Sequence, residues 1–390
     1  MPYYRTLGKI PRKRHTVFRQ PDGELYAEHL MGTMGFSGPS SLLYHVRPPT
    51  QVLATKRIRA VELQVEPEPK LSMRHFHLKN LPAKKSATLD RTPLLFNAAM
   101  TISLACPQET DDFFYRNGQA DELIFIDEGS GNLETEFGTL QYQRGDYIVI
   151  PRGVLHRFQI DNNQTGNEST RMLVVESESN IRFPSRYLTD EGQLMEHAPI
   201  CERDIRAPEE LPLHDEKGEF KIILKQNNIL TELTLDHHPL DVVGWDGCYY
   251  PWALSIHDFE PITGSLHQPP PVHQTFQTDQ FVVCSFVPRI FDFHPDAIPA
   301  PYNHSNLMSD EVIFYANDNF MSRSGIARES MTLHPAGIPH GPHPGRAEAS
   351  IGKKETKELA VMVDTFAPLN VAQVALDVED PNYERSWVEE

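Results

Sequence analysis

Residues 121–160 read DELIFIDEGSGNLETEFGTLQYQRGDYIVIPRGVLHRFQI. Runs of about five apolar and β-branched residues alternate there with glycine-containing turns, at intervals of about nine residues. Short strands separated by turn signals at this spacing are typical of an antiparallel sandwich or barrel. We therefore predict an all-β chain, built mainly of strands with a few short helices.

A second stretch of the chain repeats this pattern. Residues 121–125 read DELIF and residues 310–314 read DEVIF. Each is followed by a Pro-x-Gly turn and then by a histidine, which is His156 in the first copy and His340 in the second. The glutamate and the histidine are 34 residues apart in the first copy and 29 in the second. Offsets that agree this well indicate a duplicated unit, and we predict two jelly-roll barrels in tandem.

The length of 390 residues also favours two domains. We assign residues 1–230 to an N-terminal domain with a degenerate barrel, whose core covers about residues 80–190. Residues 231–390 form the second domain. Its tail, residues 366–390, is acidic and lacks a clear period, so that part of it is expected to be mobile.

The spacing around the two histidines resembles a known motif. Residues 145–156 contain Gly, five residues, Pro-x-Gly, two residues and His, and residues 329–340 match except that Glu329 replaces the first glycine. This is similar to the second motif of the cupin superfamily, in which two strands bring a glutamate and histidines together inside a barrel. Aligned on the glutamates, the first copy offers Tyr115, Asn117, Glu122 and His156, and the second offers His304, Asn306, Glu311 and His340. We predict that the first copy is structural and that the second binds a metal.

Two imidazoles and one carboxylate leave coordination positions open, which suits non-haem Fe(II) that binds an organic substrate and O₂ together. Asn306 stands where many cupins have a further histidine, which makes a zinc or manganese enzyme with four protein ligands a distant alternative. His334 flanks the site and is expected either to orient the ligands or to face the substrate.

Composition excludes several classes of partner. Lys and Arg total 36 and Asp and Glu total 54, and the net charge of −18 argues against nucleic acid, which needs a basic surface. No long apolar run or apolar leader is present, so we expect no membrane span and no signal peptide. The four cysteines are far apart, as expected of free thiols in a reducing cytoplasm.

The chain as a whole resembles the homogentisate 1,2-dioxygenase family. The segments PYNHSNLMSDEV (301–312) and LHPAGIPHGPH (333–343) are similar to its two iron-ligand stretches. The weaker similarities are YAEHLMGTMGFSGPSSLLYHVRP (26–48), FGTLQYQRGDYIVIPRG (137–153) and FVPRIF (286–291). The resemblance implies an Fe(II) enzyme that opens homogentisate with O₂ to maleylacetoacetate, in tyrosine and phenylalanine breakdown. It also implies a homo-oligomer, a trimer or a hexamer.

The resemblance assigns roles residue by residue. It makes His304, Glu311 and His340 the iron ligands, and it places His340 against the substrate as well. It further implies that His257 acts on the substrate hydroxyl, that Tyr302 contacts the substrate, and that Arg323 binds its carboxylate where the family has a lysine.

Three alternatives remain open from the sequence. The family usually has six residues from the first histidine to its carboxylate, which would select Asp310, whereas the repeat selects Glu311. The substrate could be another hydroquinone or a gentisate-like aromatic acid. A bicupin that binds metal without turnover is the alternative outside the enzymes.

Overall fold

The computed structural model describes residues 3–161, 170–265 and 270–388. Within these ranges the chain folds almost entirely into β-strands, with one short α-helix at Arg346–Ser350, and the prediction of a mainly-β chain is confirmed. No helix in the same ranges has the length and apolarity that a membrane span needs. Short 3-10 turns lie at Leu78–Asn80, Ser185–Tyr187, Glu202–Asp204, Ile256–Asp258, Pro270–His273, Gln373–Val378 and Tyr383–Arg385.

The N-terminal copy is built on two large sheets. Its strand Asp121–Glu128 is buried along almost its whole length, and its continuous apolar run is what a strand covered on both faces requires. The eight-stranded sheet runs in the order Ile205–Arg206, Trp252–Ser255, Asp146–Ile150, Asp121–Glu128, Arg171–Ser177, Met100–Ala105, Thr92–Phe96, Asn370–Val371. The seven-stranded sheet runs Gly138–Gln143, Ser130–Thr135, Leu155–Ile160, Phe114–Asn117, Lys217–Gln226, Ile229–His237, Ala54–Ala60.

The C-terminal copy has one large sheet and a reduced second layer. The six-stranded sheet runs Gln274–Gln277, Phe281–Phe286, Ala360–Thr365, Asp310–Tyr315, Ser330–His334, Arg74–His77. Among the described residues, a two-stranded pair forms from Arg289–Ile290 and Glu355–Thr356, and an isolated bridge joins His304 to His340. A further four-stranded sheet has the order Arg5–Gly8, Val242–Gly247, Ser37–His45, Ala27–Met34.

Equivalent positions of the two copies meet in the core. Phe125 ends the DELIF segment and Phe314 ends DEVIF, and their rings pack edge to face with centroids 6.1 Å apart. The Tyr147 hydroxyl also lies 2.8 Å from the Ser285 hydroxyl, between the eight-stranded and six-stranded sheets. Both copies contribute to one continuous hydrophobic cluster. The duplication therefore builds a single packed unit with two related halves.

The sheets cross the boundary predicted after residue 230. Strands Val242–Gly247 and Trp252–Ser255 pair with N-terminal partners, whereas Arg74–His77 pairs with Ser330–His334 of the second copy. The short strand Asn370–Val371 returns to the first copy. The division at residue 230 stays a proposal, and a boundary after Ser255 agrees better with the pairing.

Candidate metal centre and substrate pocket

Three side chains from separate segments converge in the second copy. His304 and His340 face each other across a two-residue bridge, in which each backbone N–H donates to the other carbonyl at 2.8 and 2.9 Å. Glu311 lies on the neighbouring strand Asp310–Tyr315. One ligand atom from each of the three residues lies within 4.8 Å of the others. The structure thus brings together the three residues that the sequence selects as metal ligands.

The hydrogen bonds of both histidines turn the same nitrogen toward Glu311. His304 Nδ1 is 3.0 Å from the Tyr302 carbonyl, and His340 Nδ1 is 3.1 Å from the Ile338 carbonyl. Both Nδ1 atoms therefore carry hydrogen, and each Nε2 presents a lone pair. The Nε2 atoms are 3.7 Å (His304) and 3.5 Å (His340) from the Glu311 carboxylate. The Nε2 of His340 is buried and has no hydrogen-bond partner in the part of the chain that the structure describes, as expected of an atom that binds a cation.

The structure distinguishes between the two candidate carboxylates. Asp310 faces the opposite side of the strand and accepts hydrogen bonds from the backbone N–H groups of Ala336 and Leu369, both at 2.8 Å. Asp121 of the first copy does the same for Arg152 and Ile181, at 2.9 and 3.0 Å. In each copy the aspartate therefore holds the Pro-x-Gly turn, and the following glutamate faces the interior.

His334 does not face the pocket but supports Glu311 from behind. Its Nδ1–H donates to Glu311 at 2.7 Å, and its Nε2 accepts from the Tyr383 hydroxyl at 3.2 Å. Burial lowers the pKa of His334 to about 4, so that the imidazole is neutral and has one donor and one acceptor. Burial opposes the ionisation of Glu311, but the three imidazoles of His304, His334 and His340 around its carboxylate outweigh burial and hold the pKa of Glu311 well below the usual range.

A pocket opens directly beside the three ligands. It encloses about 660 Å³ of empty space, part of which is continuous with solvent. Its polar wall is formed by His304, Glu311, Arg323, Arg289 and His273, and its apolar wall by Phe286, Ile313, Phe320 and Met362, among others. An apolar cavity with a few converging polar groups is the usual form of a small-molecule site.

Arg323 is a buried cation that forms no ion pair with a carboxylate among the described residues. The residue is 5% exposed, and its guanidinium donates to the Gly341 carbonyl and stacks over the Trp387 ring. Its Nε has no hydrogen-bond partner. Arg289 on the same pocket wall does have an anionic partner, because its guanidinium lies 3.5 Å from the Glu358 carboxylate. The predicted carboxylate-binding residue therefore does line the pocket.

Two other predicted residues are not brought to the pocket wall. His257 is exposed on the 3-10 turn Ile256–Asp258, and its ring lies against Gly145 of the first copy. The proton-accepting role expected of His257 therefore has no support from the geometry of this chain. Tyr302 is 63% exposed, and its ring centroid is 6.3 Å from that of His304, so that it stands outside the pocket rather than over it.

In the first copy, an arginine occupies the place that corresponds to the candidate metal position of the second copy. Tyr115 pairs with His156 in the register in which His304 pairs with His340. The Arg91 guanidinium binds both oxygens of Glu122, at 2.7 and 2.9 Å. Burial opposes ionisation of Glu122, but the Arg91 charge outweighs it and lowers its pKa to about 2. Asn117 donates to the same carboxylate at 2.8 Å. This copy thus has its own internal cation, and its structural role stays a prediction.

Glu329 stands where the turn motif has a glycine, and it keeps the positive φ of that glycine. Gly145 has a φ of 87°, and Glu329 at the matching place has a φ of 60°. Side chains with a Cβ seldom adopt this left-handed region. The Glu329 carboxylate lies 2.5 Å from the Arg171 guanidinium, which compensates for the backbone cost with a largely buried ion pair.

The C-terminal tail contributes residues to the site that the sequence analysis missed. Tyr383 is 3% exposed and bonds His334, and the Trp387 indole N–H donates to the Gly341 carbonyl at 3.0 Å. His273 and Arg289 were also missed. Arg289 lies in the FVPRIF segment, which was noticed only as a resemblance.

The chain is similar to known dioxygenases over almost its whole length. The family model described as "Homogentisate 1,2-dioxygenase N-terminal" matches residues 5–256. A Saccharolobus solfataricus protein named "Putative dioxygenase" is 40% identical over 392 residues, covering 99% of each chain. The homogentisate 1,2-dioxygenase of Rhodopseudomonas palustris is 26% identical and covers 97% of this chain and 90% of its own. A solved cupin barrel protein from Leptotrichia buccalis overlays with a TM-score of 0.34 and 9% identity, over 79% of this chain and all of that one.

Proposed function

Because this chain belongs to the homogentisate 1,2-dioxygenase family, we propose that it is an Fe(II) dioxygenase that opens the ring of homogentisate. The product would be maleylacetoacetate, in the breakdown of tyrosine and phenylalanine. The single observation that carries the proposal is the convergence of two imidazole Nε2 atoms and one carboxylate beside a pocket whose Arg323 guanidinium has no carboxylate partner among the described residues. A cytoplasmic homo-oligomer, trimeric or hexameric, is part of the same proposal.

The donor set fits ferrous iron. His304, Glu311 and His340 form a two-histidine, one-carboxylate set, the combination found in non-haem Fe(II) oxygenases. The buried, unpartnered Nε2 of His340 is an atom that a cation would satisfy. When bound there, Fe(II) would supply Lewis acidity and one-electron chemistry toward O₂. His334 keeps the Glu311 carboxylate oriented, as the outer partners of metal ligands commonly do.

The pocket residues account for binding and orientation of an aromatic acid. Arg323 binds the carboxylate, since a buried guanidinium without an anion is stabilised by one. Phe286, Phe320 and Met362 pack on the ring and keep water from it. Anchoring the acid at one end fixes which ring edge faces His304 and Glu311.

The ring hydroxyl must lose a proton as it binds. Since His257 lies elsewhere, we assign this role to His273, a buried imidazole on the pocket wall. A histidine is suited to it, because its ordinary pKa lies close to neutral pH.

The decisive experiment measures iron content and O₂ uptake together. The full chain is purified without air, loaded with Fe(II), and given homogentisate, gentisate or methylhydroquinone in an oxygen electrode. We expect one O₂ consumed per homogentisate and an increase in absorbance from the ring-opened product. His304→Ala and His340→Ala should each lose iron and uptake together. Iron-loaded protein that consumes no O₂ with any of the three compounds would overturn the proposal in favour of a metal-binding bicupin. Uptake with gentisate alone would overturn the assignment of the substrate.

A further inference from the structure

A second cluster of metal-binding side chains lies in the N-terminal half, in the four-stranded sheet. His29 belongs to the strand Ala27–Met34 and His45 ends the neighbouring strand Ser37–His45. Glu136 comes from the turn after the strand Ser130–Thr135 of the seven-stranded sheet. One ligand atom of each residue lies within 4.8 Å of the others. None of the three belongs to the pocket described above.

A carboxylate outside the cluster fixes the orientation of His45. Asp241 Oδ1 accepts from His45 Nδ1 at 2.7 Å, and both groups are almost fully buried. The second oxygen of Asp241 accepts from the Arg47 backbone N–H at 2.7 Å. The Nδ1 of His45 is therefore protonated, and its Nε2 presents a lone pair toward His29. A carboxylate that holds a histidine by one nitrogen while the other binds zinc is a recurrent arrangement.

The separation of the two imidazoles matches a shared ion. His29 Nδ1 and His45 Nε2 are 3.3 Å apart. Two nitrogens bound at about 2.0–2.1 Å to one tetrahedral ion are separated by about 3.3–3.4 Å.

Glu136 supplies the negative charge that such a site needs. The residue is 1% exposed. One of its oxygens accepts from the Leu155 backbone N–H at 2.9 Å, and the other lies 3.3 Å from Arg116, whose side chain is 26% exposed. Each carboxylate oxygen has two lone pairs, so these contacts leave acceptor capacity for a cation.

We propose that His29, His45 and Glu136 bind a divalent ion of the zinc class, with Asp241 as the residue that positions His45. The ion joins the hairpin formed by Ala27–Met34 and Ser37–His45 to the turn at Glu136 in the N-terminal sandwich. A site that links two sheets in this way stabilises the folded chain, because the unfolded chain cannot assemble its three ligands.

Two other groups of histidines fit an ion less well. His75, His77 and Asp380 have a histidine–carboxylate separation of 3.6 Å, and no further carboxylate among the described residues bonds either histidine. In the group of His214 and His238, the two rings stack face to face with centroids 4.2 Å apart. Their nitrogens are therefore not directed at a common point.

The test uses Zn(II) alone as the probe, in a variant that lacks one ligand of the proposed iron site. The full chain carrying His304→Ala is stripped with a chelator and titrated with Zn(II), and bound metal and the unfolding temperature are both measured. We expect one zinc per chain and a higher unfolding temperature with zinc. Adding His29→Ala, a change at a partly exposed residue, should abolish both effects. Asp241→Asn should weaken zinc binding by about 10- to 100-fold.

A matched control is His237→Ala. His237 is buried and bonds Asp236 through Nδ1 at 2.8 Å, but it belongs to no three-ligand group among the described residues. It should keep the zinc. No zinc bound in the His304→Ala background, or zinc retained after His29→Ala, would overturn the proposal. Oxygen uptake by the otherwise unchanged chain is a separate measurement, so that failure of this site and failure of the dioxygenase assignment are distinguishable.

Discussion

Replacing Arg323 with methionine tests the substrate assignment most directly. The guanidinium is buried, and among the described residues it bonds the Gly341 carbonyl and contacts the aromatic residues Trp387 and Tyr383. Methionine is similar to the aliphatic part of the arginine side chain, so much of the pocket wall is kept while the charge is removed. The change should therefore act on the substrate carboxylate and not on the iron ligands.

The magnitude follows from the burial of this group. A hydrogen bond between charged partners contributes about 1.5–3 kcal/mol, and a site that is 5% exposed has little screening by salt. At about 1.4 kcal/mol per factor of ten, KM for homogentisate should rise about 10- to 150-fold, with a smaller change in kcat. Arg323→Lys keeps the charge but not the planar fork, and should restore part of the loss.

The assay is initial O₂ uptake over a range of substrate concentrations, with iron content and the unfolding temperature as checks. Methylhydroquinone provides the internal comparison, because it has the ring and both hydroxyls but no carboxylate. The reasoning predicts that Arg323→Met leaves KM for methylhydroquinone almost unchanged. An equal loss with both compounds, or an unchanged KM for homogentisate, would show that Arg323 does not bind the carboxylate.

Three further predictions concern the two copies. The Glu311→Gln variant should lose bound iron. The Asp310→Asn variant should keep the iron but have a lower unfolding temperature, because the change weakens two backbone hydrogen bonds. Loss of iron from Asp310→Asn would show that the roles of the two carboxylates are the reverse. The Glu329→Gly variant should be less stable in thermal unfolding by about 1–4 kcal/mol. Loss of the ion pair with Arg171 costs about 3–5 kcal/mol, whereas a glycine relieves about 1–2 kcal/mol of strain in the left-handed backbone. A more stable variant would contradict this estimate. Arg91→Met should lower the unfolding temperature strongly, because it leaves a buried carboxylate uncompensated, while iron content per folded chain stays unchanged; loss of iron would contradict the separation of the copies.

The strands and the grouping of the three candidate metal ligands could be predicted because their signals are local. The apolar runs in DELIF and DEVIF, the Pro-x-Gly turn and the histidine after it all lie within short stretches of sequence. Alignment of the two copies then favoured Glu311 over Asp310 as the candidate carboxylate ligand. The structure agrees with that choice, since Asp121 and Asp310 both hold turns.

The parts that could not be predicted depend on long-range pairing. Nothing within Arg74–His77 indicates that its partner is Ser330–His334, more than 250 residues away. The tail had no period because its ordered residues lie on short 3-10 turns, so that Tyr383 gave no helical or strand pattern. The role expected of His257 rests on the likeness of a short segment, but the neighbouring Ile256 N–H donates to the Gly145 carbonyl and so holds His257 against the first copy.

The guanidinium of Arg91 has a consequence for how the molecule responds to metal supply. A cation that is covalently part of the chain cannot be removed by a chelator, whereas an ion bound by His304, Glu311 and His340 could be. If that site binds iron as proposed, loss of the iron would stop the activity of the second copy and leave the fold of the first copy intact. Resupply of iron would then restore the activity without new synthesis of the protein.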